Sequence, residues 1–157
     1  MNRTRPDSTA AIDEYYPLQA REAFMASADY IVVTLPLLES TRSLVGEREF
    51  KAMRSSAVII NVGRGAVIDE AALYAALRSR QIAGAIIDTW YCYPAAGEAD
   101  AEPSQFAFRD LDNVVMTPHM SGWTAGTVRR RQQAMAENIN RLAAGKPLIN
   151  IVRTPLV

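Results

Sequence analysis

The stretch A-V-I-I-N-V-G-R-G-A-V-I-D, residues 57–69, decides the fold. Its first residues are mostly apolar and β-branched, which is typical of a strand buried on both faces of a parallel sheet. Gly63 and Gly65 follow with Arg64 between them, and glycine allows a sharp turn and the close approach of a ligand. Asp69 suits the first position of the helix that follows. The stretch predicts a cation on a tight loop at the carboxyl end of a buried strand, where open α/β sheets bind ligands.

The residues on either side of this stretch predict further strands and helices. Apolar runs that end at a proline or an acidic residue predict strands, and apolar residues at helical spacing predict helices. The predicted strands are 28–35, 83–88 and 113–117, and the predicted helices are 20–28, 39–54, 69–80 and 122–144. In the last helix the residues expected to face inward are Val128, Met135, Ile139 and Leu142, before a stop at Gly145. Strands that alternate with helices predict an α/β fold with a parallel sheet and crossover helices.

Composition limits the classes of partner and location. With 157 residues, 49% of them apolar, the chain is long enough for one domain with a hydrophobic core. Its formal net charge is zero, so charge gives no reason to expect nucleic acid or an anionic membrane as a partner. No apolar run approaches the ~18 residues of a membrane-spanning helix, and the N-terminus lacks the apolar core of a secretory signal. We therefore expect a cytoplasmic protein.

Cysteine and histidine are too few to indicate a disulfide or a metal site. Cys92 is the single cysteine, which excludes an internal disulfide and is typical of a reducing compartment. We expect its thiol to be inert and buried or half-buried. No paired-histidine or Cys-x-x-Cys spacing indicates a bound metal.

Four motifs stand in a recognisable order along the chain. They are T-L-P-L at 34–37, I-I-N-V-G-R-G-A-V-I-D-E-x-A-L at 59–73, D-x-W-Y at 88–91 and N-V-V-M-T-P-H-M-S-G at 113–122. Together they resemble the D-isomer-specific 2-hydroxyacid dehydrogenases, in particular the C-terminal part of their NAD-binding domain. The resemblance covers residues 20–153. It implies a partial Rossmann-type, doubly wound parallel sheet whose first βαβ unit is missing.

This resemblance also implies how the chain is divided. Residues 1–19 are polar and without a clear period, so we expect a loosely ordered N-terminal segment. Residues 20–157 are expected to be the C-terminal portion of a dinucleotide-binding domain, ending in a long helix and a return segment. In the family's sheet the strand that matches residues 30–35 pairs with the first strand of the glycine-rich unit. Without that unit an apolar edge is left open, so we expect a homo-oligomer or a missing N-terminal half.

The implied function is an NAD(P)-dependent oxidoreductase that transfers a hydride between a nicotinamide and a 2-hydroxy or 2-oxo acid. In this resemblance Arg64 grips the substrate carboxylate, for which the planar guanidinium is suited. His119 exchanges the hydroxyl proton, because imidazole titrates near working pH. NAD is the expected cofactor, and NADP stays open because the residue that would read the ribose is absent. The cofactor-binding residues implied by the resemblance are Thr34, Leu35, Pro36, Val62, Gly63, Arg64, Asp88, His119, Ser121 and Gly122.

Two departures from the family pattern affect these expectations. The family places a glutamate before the proline of its D-x-F-E-x-E-P segment, hydrogen-bonded to the histidine, whereas this chain has Tyr93 there. Tyr93 is therefore a candidate catalytic partner that can orient His119 but does not supply a carboxylate. The Trp90-Tyr91 pair is closer to formate dehydrogenases of the same superfamily, which carry a glutamine at the glutamate position.

The second departure is the lack of a G-x-G-x-x-G loop followed by an acidic residue. The turn at residues 63–68 is a lookalike, but Ile68 stands where a small residue is needed for close helix–strand packing. The alternative function is therefore a non-catalytic remnant or a binding subunit that lacks the cofactor loop. A third interpretation is an unrelated module that binds phosphate at the same turn. Taken alone, Arg64 also fits a surface turn and His119 an ordinary loop, but the order of the motifs favours their functional roles.

Overall fold

Residues 12–96 and 101–151 are described by the computed structural model, in two units that divide between His119 and Met120. Of the N-terminal segment expected to be loosely ordered, residues 1–11 lie outside the described residues. Residues 18–20 form a single 3-10 turn that leads into the first helix.

The first unit contains a parallel four-stranded sheet. Its elements are β1 (Tyr30–Val33), β2 (Val58–Asn61), β3 (Gly84–Ile87), β4 (Val114–Met116), α1 (Arg21–Ser27), α2 (Glu47–Ala52) and α3 (Glu70–Arg78). The strand order is β1-β2-β3-β4, and each neighbouring pair is parallel. This confirms the predicted α/β fold with crossover connections. The register aligns Val33, Asn61, Ile87 and Met116 in one row, so the loops that follow the strands start from one edge of the sheet.

The predicted helix at 39–54 is wrong as a continuous element. A 3-10 turn at Glu39–Thr41 is separated from α2 by an extended segment. In that segment the Val45 N–H donates to the Val67 carbonyl at 3.2 Å, and the Val45 carbonyl accepts from the Asp69 N–H at 2.8 Å. These backbone groups bond to the loop that precedes α3, and a helix would have used them internally.

The hydrophobic core lies on one face of this sheet. Its largest fully buried members include Met25, Ile31, Phe50, Ile59, Leu73, Leu77 and Ile87, so α1, α2 and α3 all contribute to it. On the opposite face Tyr30 is 71% exposed, Val32 is 53% exposed and Val115 is 57% exposed. Ile60 of β2 is half-buried on that face. The sequence predicted that β2 is buried on both faces. Among the described residues, β2 is fully buried on one face and half-buried on the other.

The second unit contains α4 (Ala125–Ala143), within the predicted span. The Thr124 side chain accepts from the Thr127 N–H at 3.1 Å at its start, and Gly145 follows its end with a φ of 61°. The chain then folds back on the helix, where Asn138 exchanges two hydrogen bonds with the backbone of Ile149. The side chains expected to face inward are instead exposed at Met135, Ile139 and Leu142. Among the described residues no helix is long and apolar enough to span a membrane.

Candidate active site

Asn61 shapes the loop that carries Arg64. It is the last residue of β2, is 2% exposed, and its Oδ1 accepts from the Gly63 N–H at 3.1 Å. Its Nδ2 donates to the Arg64 carbonyl at 3.2 Å. The amide thus satisfies backbone groups on both sides of the turn, as a buried polar side chain must. Sequence reasoning assigned Asn61 no role, although an amide inside an apolar strand was the available signal.

Both glycines of the turn are required by close packing between backbones. A Cβ added at Gly63 would lie 2.8 Å from the Leu35 carbonyl oxygen, in the loop after β1. A Cβ added at Gly65 would overlap the Trp90 carbonyl oxygen and lie 2.6 Å from its carbon, in the loop after β3. The loops after three adjacent strands therefore meet at this turn. Backbone fills the space above these glycines, which argues against a phosphate bound there.

Arg64 itself is exposed, and no described acidic residue neutralises its charge. Its Nη1 donates to the Gly63 carbonyl at 2.7 Å, which directs the side chain along the loop. Within residues 12–96 and 101–151, no carboxylate forms an ion pair with this guanidinium. An unpaired guanidinium on a tight loop is available to a carboxylate or phosphate ligand.

The loops after β3 and β4 are tied together by Asp88, Trp90 and Thr117. Asp88 is 2% exposed, and its Oδ1 accepts from the Thr117 hydroxyl at 2.6 Å. The Trp90 indole Nε1–H donates to the Thr117 carbonyl at 2.9 Å. These bonds fix the backbone just before His119. Sequence reasoning singled out Asp88 but assigned no role to Trp90 or Thr117, and nothing in their spacing indicates these contacts.

The structure brings Tyr93 and His119 into direct contact. The Tyr93 hydroxyl oxygen lies 2.9 Å from His119 Nδ1, and the two ring centres are 5.6 Å apart. The same oxygen accepts from the Trp90 backbone N–H at 3.0 Å. His119 has a φ of 58°, a left-handed conformation that is uncommon for residues other than glycine and is often found at functional sites. Nε2 of His119 has no hydrogen-bond partner in the described chain.

Tyr91 and Cys92 lie next to the site in the sequence. Within the described residues, neither side chain is hydrogen-bonded to the side chain of Tyr93 or His119. Burial holds the pKa of Tyr91 well above its usual value, and the negative charges of Glu70 and Asp69 raise it further. Tyr91 is therefore a neutral phenol. Cys92 is exposed, so the expectation of a buried or half-buried thiol is wrong. The Tyr91 ring takes the inward position in this loop, and the next side chain along the backbone turns outward.

The expected site residues mostly follow the carboxyl ends of the strands. Within the first unit these are Thr34, Leu35 and Pro36 after β1, Val62, Gly63 and Arg64 after β2, Asp88 after β3, and His119 after β4. Ser121 and Gly122 belong to the second unit. In the described part of the chain, no three acidic, cysteine or histidine side chains gather as a metal site.

Comparisons with known proteins identify the family of this chain. The sequence model described as D-isomer specific 2-hydroxyacid dehydrogenase, NAD binding domain, matches residues 1–121. The chain is 32% identical over 136 residues to the D-3-phosphoglycerate dehydrogenase of Archaeoglobus fulgidus, covering 87% of this chain and 24% of that protein. It is 35% identical over 136 residues to the glyoxylate reductase of Aeropyrum pernix, covering 87% of this chain and 38% of that protein.

A solved structure shows the same likeness in three dimensions. It is the D-isomer specific 2-hydroxyacid dehydrogenase from Xanthobacter autotrophicus Py2, crystallised in complex with NADPH and MES. The two chains are 35% identical with a TM-score of 0.74, covering 95% of this chain and 58% of that chain. This chain spans 24% of the length of the Archaeoglobus fulgidus relative and 38% of the length of the Aeropyrum pernix relative. The chain belongs to the D-isomer specific 2-hydroxyacid dehydrogenase family and carries residues of its NAD-binding domain.

Proposed function

We propose that this chain supplies the arginine–histidine part of the active site of an NAD(P)-dependent oxidoreductase that interconverts a 2-oxo acid and a 2-hydroxy acid. The observation that carries the proposal is the placement of two open groups at one edge of the parallel sheet. The unpaired Arg64 guanidinium follows β2, and the His119 ring, open at Nε2, follows β4. Clefts at the carboxyl edge of such a sheet are where ligands bind.

The proposed roles follow from the chemistry of these groups. Arg64 binds the substrate carboxylate through its planar fork and orients the neighbouring carbonyl. In reduction His119 acts as an imidazolium that gives its Nε2 proton to the carbonyl oxygen and becomes neutral, and in oxidation a neutral ring with its lone pair on Nε2 takes the hydroxyl proton. Tyr93 contacts the other ring nitrogen and so sets the direction in which Nε2 points. When bound, the reduced nicotinamide supplies the hydride.

The substrate class is proposed to be a small 2-oxo or 2-hydroxy acid. The relatives include a glyoxylate reductase and a D-3-phosphoglycerate dehydrogenase. The compound in each of these enzyme names is an acid or a phosphate ester of an acid. The Arg64 guanidinium, which forms no ion pair in the described part of the chain, matches the carboxylate shared by such substrates.

A chimeric enzyme tests this proposal directly. The matched segment of the Aeropyrum pernix glyoxylate reductase is replaced by the corresponding residues of this chain, and oxidation of NADH and NADPH with glyoxylate is followed by absorbance. Turnover above that of a chimera carrying His119→Ala supports the oxidoreductase. A folded chimera without turnover supports the alternative, a non-catalytic remnant or binding subunit.

NAD or NADP is the proposed cofactor. Thr34, Pro36 and Val62 are exposed at the ends of β1 and β2, where they fit one side of a bound dinucleotide. The NADPH complex of the Xanthobacter autotrophicus relative supports the same cofactor class. The sequence nevertheless lacks the glycine-rich loop that holds the pyrophosphate at a helix N-terminus.

We therefore expect the chain alone to bind NADH weakly or not at all. The expected dissociation constant is about 1 mM or weaker, because the contacts of the pyrophosphate loop are missing. Isothermal titration calorimetry of the chain with NADH and with NADPH measures it. Micromolar affinity for either cofactor would contradict the expectation.

The exposed edge of β1 is proposed as an association surface, either between copies of this chain or with a polypeptide that carries the glycine-rich half of the sheet. β1 pairs only with β2 among the described strands, so no described strand pairs with its other edge. Tyr30 and Val32 on this strand are exposed apolar side chains. Apolar edges of this kind pair with other chains.

We expect Val32→Lys to weaken self-association of the chain by about tenfold or more, because a lysine on an edge strand opposes strand pairing. Sedimentation velocity over a range of concentrations measures the change. Val115→Lys is the matched control, since Val115 is similarly exposed on β4 at the opposite edge. A well-folded parent chain that stays monomeric at every concentration, with a high unfolding midpoint, would exclude the edge as an association surface.

We propose a cytoplasmic location, and the single cysteine supports it. Cys92 is exposed and free, which suits a reducing compartment better than an oxidising one. Fractionation of cells that express the tagged chain tests the location, and recovery from an oxidising compartment would contradict it.

A further inference from the structure

The Tyr93 hydroxyl lies between two nitrogen atoms with different hydrogen-bonding roles. The Trp90 backbone N–H donates to the hydroxyl oxygen at 3.0 Å, and this nitrogen can only donate. His119 Nδ1 lies 2.9 Å from the same oxygen, and it can donate or accept according to the tautomer. A phenol has one hydrogen to donate, so its bonds to these two neighbours are not independent.

The neighbours of the Tyr93 hydroxyl favour one direction for the Tyr93–His119 bond. If Nδ1–H of a neutral ring donated to Tyr93, the oxygen would accept twice and the phenolic hydrogen would be left to water, since Tyr93 is 51% exposed. If the hydroxyl donates to Nδ1, the Trp90 N–H, the phenolic hydrogen and the Nδ1 lone pair are all satisfied. The second arrangement leaves the imidazole proton on Nε2.

We propose that Tyr93 is a positioning residue that holds neutral His119 in the tautomer protonated at Nε2. The inference deepens the proposed function and rests on it, because Nε2 is the nitrogen left open for the substrate. A neutral ring in this form presents a hydrogen-bond donor to the carbonyl oxygen of a 2-oxo acid, and it becomes the acid once Nδ1 has taken up a second proton. To act as a base toward a hydroxyl, the ring must first release its Nε2 proton. A carboxylate in place of Tyr93 would accept from Nδ1–H and leave Nε2 as an acceptor, which matches the hydroxyl of a 2-hydroxy acid.

No other group of the described chain competes for this ring. None of the ion pairs formed by residues 12–96 and 101–151 includes His119, so no carboxylate draws the proton to Nδ1. The left-handed backbone at His119, with a φ of 58°, persists only where surrounding contacts hold it. The Tyr93 bond is such a contact.

Nitrogen-15 NMR of the chain tests the inference without cofactor or turnover. His119 is the single histidine, so its two ring nitrogens are assigned without ambiguity. At about pH 8, above the range in which histidines usually titrate, the proton is expected on Nε2 in nearly all molecules. Tyr93→Glu should move the proton to Nδ1. Tyr93→Phe should produce the mixture of tautomers of a histidine without a partner.

Tyr91→Phe is the control, because the Tyr91 hydroxyl is buried without a hydrogen-bond partner and lies in the same loop. It should leave the His119 signals as in the parent chain. Tyr93→Phe keeps the aromatic ring, so it preserves the test if a glutamate at this position destabilises the loop. A parent chain with the proton on Nδ1, or a Tyr93→Phe variant with unchanged ring signals, would overturn the inference.

Failure of this inference is distinguishable from failure of the proposed function. An inactive chimera together with the expected tautomer in the chain contradicts the oxidoreductase proposal alone. An active chimera together with a proton on Nδ1 contradicts the role assigned to Tyr93 alone.

Discussion

Arg64→Ala should lower kcat/KM of the chimeric enzyme for glyoxylate by about 10²–10³-fold, equivalent to about 3–4 kcal/mol of transition-state stabilisation. The Arg64 guanidinium forms no ion pair within the described residues, so its removal takes away the group proposed to bind the substrate carboxylate. Arg64→Lys should recover only part of the loss, because lysine keeps the charge but not the planar fork. Steady-state kinetics with NADH measure both variants.

The control for this prediction is Arg54→Ala. Arg54 precedes β2, at the amino end of the strand, and its ion pair with Asp29 lies on an exposed surface. Exposed pairs contribute at most about 1 kcal/mol to stability, so kcat/KM should stay near that of the parent chimera. Cys92→Ala should likewise have little effect, since its thiol is exposed and not hydrogen-bonded to the site. Equal activity in Arg64→Ala and Cys92→Ala would end the assignment of Arg64 to the substrate.

Gly65→Ala should destabilise the chain by about 1–3 kcal/mol or more. The new Cβ would overlap the Trp90 carbonyl oxygen and lie 2.6 Å from its carbon, and neither backbone can move without shifting a strand end. Alanine also restricts the unfolded chain, which by itself would stabilise by about 0.4–1 kcal/mol. The steric overlap is the larger effect. Urea denaturation followed by circular dichroism measures the free energy of unfolding.

Gly122→Ala is the matched control for this substitution. A Cβ at Gly122 meets no atom within 4 Å, and the residue does not have a positive φ. Its unfolding free energy should match or slightly exceed that of the parent. A Gly65→Ala variant as stable as the parent would show that the loops after β2 and β3 are not packed as the structure has them.

The order and direction of the elements were predictable because they depend on local patterns. β-branched apolar runs predicted all four strands within a few residues, and the alternation with helices predicted that the strands are parallel. Asp69 was predicted to begin α3, and its Oδ1 accepts from the Ala72 N–H at 2.9 Å. The prediction of a continuous helix at 39–54 was wrong for a non-local reason. Val45 is hydrogen-bonded to the backbone of Val67 and Asp69, and those bonds exclude a helix there.

The residues of the site were predictable only through the family motifs, and their contacts were not predictable at all. Arg64 and His119 were found because four motifs occur in order, and Tyr93 because it departs from one of them. Asn61, Trp90 and Thr117 were missed. The bond between Trp90 and Thr117 joins two loops that are distant in the sequence. Asn61 bonds to backbone within its own loop, in a geometry that the sequence does not show. The glycines were read as room for a ligand, whereas they accommodate the backbones of Leu35 and Trp90.

By itself the sequence determined a parallel α/β sheet, a cation after its second strand and a lone histidine after its last strand, because side-chain shape and periodicity act over a few neighbouring residues. Only the tertiary structure decided which atoms meet at the sheet edge. Tyr93 and His119 are 26 residues apart, and their contact exists because parallel pairing of β3 with β4 places the two loops side by side. Register and loop packing arise from the whole sheet, so no local pattern encodes them.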